Sequence, residues 1–265
     1  MTKKITVTDL RDMKQKGEKI VSLTAYDATF ARILDEVMID IILVGDSLGM
    51  VLQGSDTTLK VSMHDMLYHI AMVKQGCERA MIIGDMPFMS YATPAQALGN
   101  AARFVSEAGA EVVKLEGGSG ITDTISHIVK NGIPVCGHLG LTPQSIHKLG
   151  GYRVQGRDKA DADRIFNEAK LLEDAGISLL VLECVPHQLA AKISKSLTVP
   201  VIGIGAGAQC DGQVLVLYDV LGLTKHPPRI SKNFMENSSS IKDALQNYVN
   251  AVKDKSFPSE ANQFD

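Results

Sequence analysis

Tryptophan is absent from this 265-residue chain, and aromatic residues make up only 5% of it. The core must therefore be packed from small and branched aliphatics, which a hydrophobic fraction of 45% supplies. No apolar run approaches the ~18 residues of a membrane span, so no membrane-embedded segment is expected. Neither sign of charge dominates. A formal net charge of −3 gives no support for nucleic acid or an anionic membrane as a partner. The four cysteines (Cys77, Cys136, Cys184 and Cys210) have no CxxC or zinc spacing. They read as buried, reduced thiols of a cytosolic protein. The opening residues, Met1-Thr2-Lys3-Lys4-Ile5, lack the apolar stretch of a signal peptide, so a cytoplasmic location is expected. There is no repeat, low-complexity tract or long linker.

Several short apolar runs, by contrast, each end in an ionisable residue. Ile41-Ile42-Leu43-Val44-Gly45 leads into Asp46, and Met81-Ile82-Ile83-Gly84 into Asp85. Val112 to Leu115 leads into Glu116, Val135-Cys136-Gly137 into His138, and Leu179 to Leu182 into Glu183. A fully buried parallel strand reads as such a run. Polar residues at the carboxyl ends of successive strands are how a (β/α)₈ barrel assembles an active site.

The rest of the chain fits that architecture. Strands are expected at 20–25, 40–44, 80–84, 111–115, 134–137, 178–182, 200–204 and 214–217, after a helix near 8–16. Helix punctuation lies between them. Thr93-Pro94-Ala95-Gln96 reads as a capping box, and Ser62-Met63-His64-Asp65 as a weaker one followed by Met66, Ile70 and Val73 at helical spacing. Gly109, Gly132 and Gly176 sit where a left-handed C-terminal cap favours glycine. This βαβα rhythm favours a closed TIM barrel, with an open doubly wound sheet as the competitor. A chain of 265 residues suits one barrel of about 250. The expectation is one domain over 1–265, with an N-terminal helix within 1–18 and a helical extension over 224–265 carrying a helix near 241–252. The link from Gly205 to Gln213 is too short for a full helix, so one crossover helix should be degenerate.

Strand periodicity puts Lys114 and Glu116 on one face and Val113 and Leu115 on the other. The aliphatics suit the helix layer, which turns the lysine and the acid inward, where Lys114 needs carboxylate neighbours. A simple Lys–Glu pair fixing the strand is the alternative. Asp46 and Asp85, on neighbouring strands, would repel unless a cation lay between them, and oxygen ligands without a His/Cys cluster favour Mg²⁺. Either aspartate alone fits a turn or helix cap equally well. His138 suits a hydrogen bond to a substrate oxygen or a ligating carboxylate, or a satisfied core position. Glu183, between Leu182 and Cys184, sits in an apolar stretch that should raise its pKa and suit it as a general base; a helix-start acid is its alternative. Gly203-Ile204-Gly205-Ala206-Gly207 fits an anion cradle or plain packing. The connection from Leu48 to Val61 could cover a site or be an ordinary surface loop.

Longer blocks are more specific. Val44-Gly45-Asp46-Ser47-Leu48-Gly49-Met50, Asp85-Met86-Pro87-Phe88 with Ser90-Tyr91, and Val113 to Gly118 resemble the ketopantoate hydroxymethyltransferase family. So do Gly137 to Gln144, Gly150 to Gly156, and Ile202 to Gly207, and the resemblance runs in order from about Thr24 to Leu223. It implies a barrel of the phosphoenolpyruvate mutase and isocitrate lyase superfamily that moves a one-carbon unit from 5,10-methylenetetrahydrofolate to 3-methyl-2-oxobutanoate through an enolate. The product would be 2-dehydropantoate, a precursor of pantothenate and coenzyme A. The partners would be a small 2-oxo acid and a folate, within a homo-oligomer, commonly a decamer. By motif the resemblance assigns Asp46 and Asp85 to Mg²⁺, with Glu116 contributing directly or through water. It assigns Ser47, Lys114 and His138 to the keto acid, alongside the metal aspartates, and Glu183 to the base. Three departures stand out: Val37-Met38-Ile39-Asp40 where Ala-Gly-Ile-Asp is usual, Tyr218 for a common histidine, and Lys74 for a common arginine. Two other readings compete: a superfamily relative that cleaves or rearranges a 2-oxo acid, and a non-catalytic barrel.

Overall fold

Each apolar run pairs with its neighbour in sequence, and after eight such pairings the sheet closes on itself. The computed structural model describes residues 3–265, so the first two residues of the expected N-terminal segment lie outside it. The strands are β1 (Ile20–Thr24), β2 (Ile41–Val44), β3 (Met81–Asp85), β4 (Val112–Glu116), β5 (Val135–Gly140), β6 (Leu179–Glu183), β7 (Val201–Ile204) and β8 (Gly212–Leu215). They run parallel in the order β1 to β8, and β8 closes on β1 through Ile20↔Gly212 to Leu23↔Leu215. The open-sheet alternative is thereby excluded. The helices are α1 (Val7–Lys16), α2 (Ala28–Glu36), α3 (Leu48–Val51), α4 (Met63–Gly76), α5 (Pro94–Ser106), α6 (Thr122–Lys130), α7 (Ile146–Leu149), α8 (Lys159–Asp174), α9 (His187–Ser196), α10 (Leu217–Val220) and α11 (Ile241–Lys253). None is long and apolar enough to cross a membrane, among the described residues.

The core has two layers, as strand alternation requires. Ile20, Ile41, Met81, Val112, Leu179 and Ile202 fill the barrel, and Leu10 of α1 joins them, so α1 packs against the barrel's interior layer. Burying one such leucine is worth about 1.5–3 kcal/mol. Val21, Ile42, Ile82, Val113 and Leu180 point outward against helix residues such as Leu34, Ile70, Phe104 and Ile165. No helix separates β7 from β8, as the short link requires. The C-terminal α11 lies instead beside the β8–β1 seam, where the buried Tyr248 hydroxyl donates to Ser22 O at 2.9 Å. Lys253 of the same helix reaches the buried Asp40 at 2.7 Å, which also holds Arg79 at 3.0 Å.

Two capping expectations trade places. Ser62 and Asp65 form the full reciprocal box at the start of α4. Thr93 accepts from Gln96 N, but the Gln96 amide reaches past it to Ala92 N and Met89 O. Glutamine is one methylene longer than aspartate, so it closes the preceding loop rather than the cap. Gly109, Gly132 and Gly176 are left-handed, as expected. So is Met38, at φ 65° and 47% exposed, in the position where the resemblance leads one to expect glycine. A non-glycine residue there costs about 1–2 kcal/mol, and glycine's looser unfolded chain returns part of it. Met38→Gly should therefore raise the melting temperature by about 2 °C. A lower melting temperature would mean that Met38 makes a compensating contact.

Candidate active site

The strand ends bring five ionisable groups to one mouth. A cavity of ≈ 460 Å³ there is lined by Asp46, Asp85, Lys114, Glu116, His138 and Glu183, together with Ser47. Its apolar wall includes Leu43, Met50, Leu141, Val181, Val216 and Ile230. Met50, Val51 and Thr58 come from the Leu48–Val61 connection, which covers the site. Pro228 and Ile230 come from the C-terminal extension.

Lys114 is the electrostatic centre. It is buried, with Nζ 2.7 Å from Asp85 Oδ1 and 3.9 Å from Glu116 Oε1. Burial alone would depress its pKa, but Asp85, Glu116 and Asp46 outweigh burial and hold it above the ordinary lysine value. A simple Lys–Glu pair is thus too small a description, because Asp85 is the nearer partner. Neither aspartate caps a helix with its side chain. Asp85 Oδ2 accepts from Asp46 N at 3.3 Å, and Asp46 Oδ2 accepts from Gln144 Nε2 at 2.9 Å. Burial, then the charges of Asp85 and Glu116, push the Asp46 carboxyl well above the usual range. Asp85 is also raised by burial, although Lys114 opposes the shift.

Glu116 and His138 form the far side. Burial would raise the Glu116 carboxyl, but His138, Lys114 and the Gln144 amide hold it below its usual value. His138 Nδ1 lies 3.4 Å from Glu116 Oε1 and Nε2 lies 3.4 Å from Glu183 Oε2. These are ion-pair distances; both ring nitrogens and Glu116 Oε1 lack a hydrogen bond within the protein. Burial and Lys114 depress the imidazole, yet the two glutamates carry it up to about 9. The ring thus lines the cavity between two carboxylates instead of sitting among apolar core side chains alone.

Glu183 faces that imidazole, with its side chain 17% exposed, so its carboxylate is not enclosed by apolar neighbours as expected. It makes no side-chain hydrogen bond to the first turn of α9. Its backbone is pinned. Gly140, at φ 90°, lets β5 approach so closely that a Cβ would sit 2.2 Å from Glu183 O. Leu141 N donates to that oxygen at 2.8 Å, and the next residue, Cys184, is left-handed at φ 48°. Cys184 is only part-buried and lines the cavity, unlike the other three cysteines, because the kink turns it to the mouth. Ser47 Oγ lies 2.9 Å from the Tyr26 hydroxyl.

The glycines of 203–207 serve packing. A Cβ at Gly205 would meet Ile230 at 2.3 Å, and one at Gly207 would meet His187 at 2.5 Å. They admit the C-terminal extension and helix α9, so the anion-cradle reading is dropped. Gln144 was not singled out by sequence reasoning, although it touches two of the candidate acids.

Oxygen-rich and buried, the Asp46–Asp85 pair fits a hard divalent cation, whose charge would offset the burial that raises both carboxyls. Among the described residues no three His, Cys, Asp or Glu side chains are gathered as a ready ligand cage. A pair is enough for Mg²⁺, which takes one or two carboxylates and leaves its other positions to water and substrate.

The family model for ketopantoate hydroxymethyltransferase matches residues 4–260. The 3-methyl-2-oxobutanoate hydroxymethyltransferase of Nitrosococcus oceani is 54% identical over 256 residues, covering 96% of this chain and 97% of the relative. Among solved structures, a phosphonopyruvate hydrolase in complex with oxalate and Mg²⁺ aligns with a TM-score of 0.62 at 12% identity, over 82% of this chain and 81% of that one. A 2,3-dimethylmalate lyase of the PEP mutase/isocitrate lyase superfamily aligns at 0.58 and 17% identity, over 82% of both chains.

Proposed function

The chain belongs to the ketopantoate hydroxymethyltransferase family, and on that premise we propose how its barrel mouth performs the transfer. Membership makes it an enzyme of pantothenate biosynthesis that transfers a hydroxymethyl group. The acceptor in this reading is 3-methyl-2-oxobutanoate, and the donor is 5,10-methylenetetrahydrofolate. The observation that carries the reading is the cavity itself. It gathers the Asp46–Asp85 pair and Glu183 in one lining, together with Lys114, Glu116 and His138. At ≈ 460 Å³ it exceeds the needs of a five-carbon keto acid and leaves room for part of a second reactant.

Asp46 and Asp85 would hold Mg²⁺, with Glu116 beside them acting directly or through water. When bound, the cation supplies Lewis-acid stabilisation of negative charge on the keto oxygen. Lys114 adds a fixed positive charge next to Asp85, preorganised because its ammonium is already paired and buried. Ser47 presents its hydroxyl to the keto acid from the Tyr26 contact. Glu183 takes the proton from C3, and His138 holds that carboxylate in place at 3.4 Å. C3 then bonds to the donor's methylene carbon, both C–N bonds of that methylene break, and water supplies the hydroxyl oxygen. The C3 proton and one proton of the water go to the two departing nitrogens, which gives 2-dehydropantoate and tetrahydrofolate. The apolar wall keeps bulk water from the C3 carbanion. The superfamily-relative reading would need turnover of a 2-oxo acid without folate. A proton NMR assay with both substrates and Mg²⁺ separates the two. Appearance of 2-dehydropantoate that depends on the folate and stops with a chelator supports the proposal. Folate-independent consumption of the keto acid would replace it.

A further inference from the structure

We infer that Gln144 is a positioning residue that aims Asp46 and Glu116, and that Tyr91 sets the direction of its amide. The inference rests on the metal reading above. Gln144 follows β5 in the turn Pro143–Ser145 and is 6% exposed. Its side chain makes three hydrogen bonds. Nε2 donates to Asp46 Oδ2 at 2.9 Å and to Met86 O at 2.9 Å, while Oε1 accepts from the Tyr91 hydroxyl at 2.6 Å. Its backbone N donates to Glu116 Oε2 at 3.0 Å. One residue therefore grips acids at the ends of β2 and β4 and the chain leaving β3.

The chemistry fixes the amide's orientation. A carboxylate and a backbone carbonyl only accept, so the group facing them must be the NH₂, and both its hydrogens are used. The amide oxygen is left for Tyr91, whose single hydroxyl hydrogen goes to it in preference to Glu116 O at 3.4 Å. The order Tyr91 to Gln144 to Asp46 is thus directional. With Oδ2 of Asp46 committed to Gln144, the other oxygen, Oδ1, is presented to a cation in a defined orientation. Outer partners of this kind orient ligands, and their loss typically lowers metal affinity about 10–100-fold.

The test uses the full chain, freed of metal and titrated with Mn²⁺, with free Mn²⁺ read by electron paramagnetic resonance in the absence of substrate. Gln144→Met keeps the volume and removes the side-chain bonds. Tyr91→Phe removes only the hydroxyl. Asp46→Asn controls for the site. We expect Asp46→Asn to abolish the tight binding and Gln144→Met to weaken it about 10–100-fold with the protein still folded. Tyr91→Phe should weaken it less, and should add nothing in the Gln144→Met background, because both act through one amide. Wild-type affinity in folded Gln144→Met would overturn the inference, as would independent, multiplying effects of the two variants. Should Gln144→Met fail to fold, Tyr91→Phe decides alone, and unchanged Mn²⁺ affinity there overturns it. Tight binding that survives Asp46→Asn would instead overturn the metal reading, and this inference with it.

Discussion

Asp46→Asn should cut turnover by on the order of a thousandfold or more while leaving the barrel at least as stable as before. The first half follows from the loss of a ligand. Lewis-acid stabilisation is worth several kcal/mol, and each ~1.4 kcal/mol is tenfold in rate. The second half follows from burial. Asp46 is 3% exposed, and its carboxyl is disfavoured as an anion by burial and by Asp85. Asparagine removes that charge, yet its side-chain oxygen can still accept from Gln144 Nε2. A group whose charge burial and like-charged neighbours already disfavour loses little stability when that charge is removed. Steady-state rates and thermal melting of the metal-free protein check the two halves together. Near-normal activity with added Mg²⁺ would refute the ligand assignment. A large drop in melting temperature would mean that Asp46 serves the core.

The second large effect is expected at Glu183. Glu183→Gln keeps the shape and leaves an oxygen for His138, but it cannot take a proton. Turnover should fall about 10²–10⁴-fold, the usual contribution of a positioned general base. Substrate binding should change little, because Glu183 acts on the C3 proton and not on the oxygens that bind. A variant that raised KM with kcat intact would instead place Glu183 among the binding groups.

These effects hinge on residues that the sequence exposed to different degrees. The strands were legible because a parallel barrel buries both faces, so each appears as an unbroken apolar run. All eight lie within three residues of their expected bounds, and seven begin within one residue of the expected start. The eighth was read at 214–217, but it begins at Gly212, whose missing side chain hides it from any apolar pattern. That glycine is needed because a Cβ would meet Ile20 O at 2.4 Å. The strand-end acids were legible for a related reason: an ionisable residue closing an apolar run is costly unless something uses it. Their assembly into one cavity followed from the barrel. Roles that depend on one contact between distant segments were not legible. Gln144 meets Asp46 across 98 positions of sequence, and nothing near Gln144 announces it. The glycines of 203–207 left two readings open for the same reason, since Ile230 and His187 are the groups they make room for. The surroundings of Glu183 were legible only in part: Cys184 lines the same cavity, but the group that faces the carboxylate is distant in sequence. His138 comes from another strand.

On this reading one cavity both binds the keto acid through Asp46 and Asp85 and removes its C3 proton through Glu183. Solvent exchange at C3 tests it without the folate. The purified chain and 3-methyl-2-oxobutanoate in D₂O, followed by proton NMR, should lose the C3 proton signal only when Mg²⁺ is present and Glu183 is intact. Exchange that persists in Glu183→Gln, or that proceeds unchanged without divalent metal, would contradict the account.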